Sequence, residues 1–152
     1  MNRLAGEPEE RGFETMRFMM IVKASKDSEA GIMPEEKLLT AMVRYHEELV
    51  KAGVLLDGSG LQPSKYGWRM KFTGRKRTII DGPFAETKEL IAGYTLIEVK
   101  SREEAFEWTK RMPNPGGEKD GEIEVRQLFE LDDFAPSEAA ERFREMETSL
   151  KK

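Results

Sequence analysis

Cysteine is absent from all 152 residues, which rules out disulfide frameworks, thiol nucleophiles and thiolate metal sites. Histidine occurs once, at His46. A single imidazole without thiolates is too small a ligand set for a dedicated zinc centre, so no metal site is expected. No apolar run approaches the ~18 residues that would span a bilayer. Near the N-terminus, Gly6-Glu7-Pro8-Glu9-Glu10-Arg11-Gly12 is polar and acidic where a secretory leader would be apolar. A cytoplasmic protein with no membrane partner is the expectation. A surplus of positive charge is also missing: the formal net charge is −4, with both signs interspersed, which argues against bulk attraction to nucleic acid. Nucleotide-cradling glycines are lacking too. Gly58-Ser59-Gly60 stands between predicted strand segments, whereas a phosphate loop joins a strand to a helix N-terminus. No cofactor is implied.

What remains is a chain of one domain's length, able to bury a core without covalent staples. Residues 1–15 are rich in Gly, Pro and Glu and follow no period, so they read as a flexible extension. The continuous run Phe18-Met19-Met20-Ile21-Val22 predicts a strand covered on both faces. Lys26 to Met33 reads as loop. After Pro34, the apolar recurrence Leu39, Met42, Val43, His46, Val50 predicts an amphipathic helix stopped by Gly53. Val54-Leu55-Leu56 predicts a short strand ended by Asp57-Gly58-Ser59-Gly60.

Tyr66, Trp68, Met70 and Phe72 alternate with Gly67, Arg69 and Lys71, the period of a half-buried strand. A turn at Thr73-Gly74-Arg75-Lys76 returns it through Arg77 to Ile80 as a hairpin. Its cluster Arg69, Lys71, Arg75, Lys76, Arg77 reads as a solvated edge that resists pairing with other sheets, or as an attractor for an anion. Leu90 to Val99 predicts another strand. Ser101 and Glu104 have the spacing of a capping box opening a helix with Ala105, Phe106, Trp108 and Met112, which Pro113 ends. Ile123, Val125, Phe129 and Leu131 read as the last strand. Ala139, Phe143, Met146 and Leu150 share one face of a C-terminal helix beginning near Pro136.

The order β-α-β-hairpin-β-α-β with a tail helix predicts an α+β, ferredoxin-like two-layer sandwich with an inserted β-hairpin and a C-terminal helix. One layer of helices leaves the second face of the sheet uncovered. The expected remedy is a homodimer formed through that face, since so large an apolar patch is unusual on a monomer.

Asp81-Gly82-Pro83-Phe84-Ala85-Glu86-Thr87-Lys88-Glu89, followed by Gly93-Tyr94, resembles the DGPF branch of the YCII-related family. Glu47 to Leu55, Gly60-Leu61-Gln62-Pro63 and Glu103 to Trp108 are similar to that branch as well. The likeness covers about residues 16–134 and leaves out the extension (1–15) and the amphipathic C-terminal helix (135–152). It implies a dimeric α+β barrel built from ferredoxin-like units. Some members of the family resemble small-substrate enzymes, and others occur near or fused to sigma-factor-like regulators.

Asp81 has two readings. As a carboxylate at the rim of a cleft it can move a proton or hold a cationic group; as a turn residue it accepts backbone N–H bonds and fixes the bend. His46 lies on the apolar helix face, either as a proton carrier or as a core residue with a satisfied ring. The resemblance implies a His–Asp pair, for which His46 and Asp81 are the candidates. Glu86, Lys88 and Glu89 are candidates for selecting a small polar or anionic ligand, or for pairing with one another. Tyr94 and Trp68 are candidate cleft walls or core aromatics. The functional expectation is a small-molecule-binding domain with cofactor-free acid–base chemistry at Asp81. The alternative is a non-catalytic regulatory or dimerisation module linked to sigma-factor-type transcription control.

Overall fold

The structure is a computed structural model that describes residues 14–151; the extension expected over 1–15 lies almost wholly outside the described residues. The elements run β1 (Met16–Lys23), α1 (Lys26–Glu29), α2 (Glu36–Lys51), β2 (Leu55–Gly60), β3 (Trp68–Thr73), β4 (Lys76–Asp81), β5 (Ile91–Val99), α3 (Arg102–Arg111), β6 (Ile123–Gln127) and α4 (Glu138–Leu150). Four strands form an antiparallel sheet in the order β2-β5-β1-β6, and β3-β4 is a separate hairpin. With α2 and α3 on one face, this is the expected ferredoxin-like α+β sandwich. The sheet is open rather than closed into a barrel.

Alternation along β5 divides the sheet into two faces. Gly93, Thr95, Ile97 and Val99 are buried beneath the helices, while Tyr94, Leu96 and Glu98 point the other way. The core gathers Phe18 and Met20 of β1, Tyr45 and Leu49 of α2, Val54, Ile97, Val99, and Ala105 and Trp108 of α3. Pairing puts Ile21 opposite Tyr94, Met19 opposite Leu96, and Asp57 opposite Leu96, so these side chains share the open face. Met19 and Ile21 are half-buried there, and only the helix-side residues Phe18 and Met20 of β1 are fully enclosed.

Several local expectations shift. Residues 26–29 form a one-turn helix, because Ser25 and Ser28 cap one another's backbone N–H groups. On α2 the buried stripe holds Tyr45 and Leu49, while Leu39, Val43 and Val50 are exposed. The helix carries two adjacent apolar stripes, and the sheet takes the one that the aromatic ring occupies. Asp57-Gly58-Ser59-Gly60 does not end β2 but completes it, pairing with β5 as far as Gly93. Ser101 caps α3 through the Glu104 N–H, but Glu104 reaches back to the N–H of Lys100 rather than that of Ser101. The last strand stops at Gln127, and Leu131 belongs to a short 3-10 turn.

The hairpin is not half-buried as its period suggests: every residue of β3 and β4 is exposed. Its two strands stand apart from the main sheet, and the helix layer leaves them uncovered.

Tyr45 shows how the core is made polar-competent. Its hydroxyl donates to the Trp108 carbonyl at 2.6 Å, and burial pushes its pKa from the ordinary 10 up to about 12. The folded chain therefore holds this proton more tightly than the unfolded chain does. The associated stability is complete below pH 10 and is lost as pH rises through about 12. In alkaline denaturation followed by circular dichroism, Tyr45→Phe should flatten the fall in stability across that window. An unchanged profile would separate the alkaline loss from this residue.

Candidate functional site

Asp81 is the last residue of β4, directly opposite Trp68. Opposed residues share a hairpin face, so the carboxylate and the indole stand side by side, with Met70 and Ile79 next along the same face. Beyond Asp81 the chain turns through a cis Gly82–Pro83 peptide.

This turn is held from outside. The Gly82 N–H donates to the Gly67 carbonyl at 3.0 Å, and the Phe84 N–H donates to Ser64 Oγ at 3.0 Å. Glu29 fixes Ser64 in turn, accepting from its backbone N–H at 3.0 Å and from its hydroxyl. The Arg69 guanidinium lies over the Phe84 ring, 3.9 Å from its centre. A Cβ on Gly82 would overlap the Ser64 carbonyl, so glycine is required by close backbone approach.

Both turn amides are thus bonded to partners other than Asp81. Among the described residues no hydrogen bond or ion pair engages the Asp81 carboxylate, nor the side chains of Glu86, Lys88 and Glu89. The three charges do not pair with one another. Ser64 and Glu29 were not identified from sequence. Their partners lie 20 and 35 residues away, and no local pattern marks such contacts.

His46 occupies another place. It sits on α2 at the boundary between the buried and exposed stripes, facing the helix side of the sheet. Its Nδ1 is 2.8 Å from the Met42 carbonyl and its Nε2 is 2.9 Å from the hydroxyl of Thr95, which is buried. A carbonyl oxygen only accepts, so Nδ1 carries the proton and donates it. In the neutral ring Nε2 then accepts from Thr95. Gly58 lies against this pair, and a Cβ there would meet Nε2 in ordinary contact at 3.7 Å. Both ring nitrogens are engaged by the fold, and no hydrogen bond joins His46 to Asp81 within the described residues.

Tyr94 belongs to the open sheet face, where its hydroxyl donates to Asp57 at 2.8 Å. The candidate residues therefore divide among three places: Asp81 and Trp68 with the charged turn after them, Tyr94 with Asp57 on the open face, and His46 with Thr95 beneath α2. Asp57 and Thr95 were missed because the first looks like a turn residue and the second like ordinary strand filling. Among the cationic hairpin residues, Arg69 and Arg77 are spread over the rings of Phe84 and Phe72. No group of three or more potential metal ligands occurs among the described residues, and no helix there is long and apolar enough to cross a membrane.

A family model described as YCII-related domain matches residues 16–132. An uncharacterised protein of Rhizobium meliloti is 30% identical over 94 residues, a span covering 62% of this chain and 75% of the relative.

Proposed function

The chain belongs to the YCII-related domain family, and from that premise we propose that it is a small-molecule-binding domain acting as a homodimer, with Asp81 as its acid–base group. One observation carries the reading: the Asp81 turn is fully bonded without its own carboxylate. A residue kept for turn chemistry would accept those N–H bonds, and here Gly67 and Ser64 accept them. The carboxylate is left to a ligand, beside an indole suited to stacking against an apolar body. Glu86, Lys88 and Glu89 select the polar end of that ligand. The pair formed by His46 and Asp81 is not needed for this role.

A lone chain leaves the carboxylate in water, where electrostatic preorganisation is weak. A second copy packed on the open face at Met19, Ile21 and Leu96 would close the sheet pair into a barrel and exclude solvent. Protein NMR titration with a library of small polar fragments tests the reading. Ligands should shift the amides of Trp68, Asp81 and Glu86. Asp81→Asn should then weaken the tightest of them about tenfold, the loss expected for a charge-assisted hydrogen bond. Shifts confined to other regions, or affinity indifferent to Asp81, would reject it.

A second reading is a regulatory or dimerisation module of the kind linked to sigma factors. It is favoured by the uncovered apolar hairpin, a surface shaped for protein contact. Turnover that depends on Asp81 would decide against it.

A further inference from the structure

Among the described residues two apolar surfaces stay uncovered, and they lie on segments of opposite charge. The first is the hairpin face of Trp68, Met70, Phe72 and Ile79, with Trp68 67% and Phe72 63% exposed. The surrounding segment 65–80 carries six cations, Lys65, Arg69, Lys71, Arg75, Lys76 and Arg77, and no carboxylate. Arg77 stands on this face opposite Phe72, as Asp81 does opposite Trp68, while Arg69, Lys71 and Lys76 belong to the other face. The second surface is the stripe Phe143, Met146 and Leu150 of α4, 58%, 52% and 86% exposed.

The stripe is exposed because α4 leans on its own domain by another side. Ala140 is its buried residue, and Glu147 beside it is partly covered. The root of the helix is fastened: the Arg17 guanidinium grips both carboxylate oxygens of Glu130 at 2.9 Å, and Arg144 bonds Asp132. An amphipathic helix held with its apolar side in water is built for a cover. The segment 130–150 also has seven carboxylates against the two cations Arg142 and Arg144.

The two segments are opposite in net charge, and the two surfaces are alike in length. Strands of 6 residues and a helix of 13 residues are each about 20 Å long. We propose that α4 of one copy lies across the β3-β4 hairpin of a second copy, mutually, so that each Asp81 turn is walled by the partner's helix. The contact is isologous, as a two-fold pair requires. It rests on the homodimer reading and adds to it a residue set from outside the matched 16–132 domain.

The natural lack of cysteine makes the test direct. Met70→Cys and Phe143→Cys chains, prepared separately, are mixed and treated with a short bis-maleimide, which tolerates small offsets in register. The mixture should give a covalent 70-to-143 pair far in excess of either chain alone. Phe143→Asp should raise the dimer dissociation constant about thirtyfold by sedimentation, the loss of one interface hot spot, with circular dichroism unchanged. A dimer that yields no mixed product would overturn the helix–hairpin contact and leave pairing to the open sheet face at Met19, Ile21 and Leu96 alone. A monomer at micromolar concentration would overturn this contact and the homodimer together. Cross-linking within single Met70→Cys/Phe143→Cys chains would show that the helix covers its own hairpin, and would also overturn the proposal.

Discussion

Gly82→Ala is expected to release the Asp81 turn and its hairpin from the domain while the four-stranded core stays folded. The added methyl would occupy the position of the Ser64 carbonyl, and backbone has little freedom to yield. Relief requires the turn to move away from residues 64–67. That movement breaks the bond from the Gly82 N–H to Gly67 and the bond from the Phe84 N–H to Ser64. Overpacking of this kind costs about 2–3 kcal/mol. The hairpin lies outside the main sheet, so the loss should appear locally, as opening of β3-β4, rather than as global unfolding. Native-state hydrogen exchange checks it: amides across the hairpin should exchange about a hundredfold faster, while those of Met20 and Ile97 should keep most of their protection. Uniform acceleration across both sheets, or none in the hairpin, would contradict this account.

Leu49→Ala should have the opposite distribution. Leu49 is completely buried in the cluster with Met20, Tyr45, Ile97 and Trp108. Its truncation removes transfer energy and leaves a cavity that a helix packed on a sheet cannot close, a loss of about 3 kcal/mol. Urea unfolding should show a lower midpoint with an unchanged slope, since the surface exposed on unfolding is nearly the same. Val50→Ala, one residue along on the exposed stripe, is the matching control. A similar loss at both positions would mean that the wrong face of α2 had been assigned to the core.

That contrast also shows how far the fold is legible in the sequence. Strand β5 declares itself, because alternate residues between Gly93 and Val99 must pack under helices. Capping at Ser101 marks the start of α3 for a local reason, the satisfaction of the Glu104 N–H. Periodicity places α2 but not its rotation, because Leu39-Val43-Val50 and Met42-Tyr45-Leu49 are neighbouring apolar stripes of similar strength. Only the sheet decides between them. Composition also misleads at Asp57-Gly58-Ser59-Gly60, where turn-forming residues stay extended because β5 pairs with them.

The candidate site follows the same division. Asp81 at a strand end, before Gly82-Pro83, can be read directly. That its carboxylate is spared from the turn depends on Ser64 and Glu29, which arrive through tertiary packing. His46 illustrates the converse. Its helix position is plain from spacing, yet its ring is tied to Met42 and Thr95, one of which lies across the layer interface.

The five cations of the hairpin, Arg69, Lys71, Arg75, Lys76 and Arg77, bear on the life of the chain before it is covered. A bare ribbon carrying Trp68, Met70, Phe72 and Ile79 is the sort of element that seeds disorderly association when chains meet at random. Like charges repel two such ribbons at long range and leave an acidic helix as the favoured caller. The same side chains that would tighten a correct encounter therefore also act as gatekeepers during synthesis, when every copy is still alone.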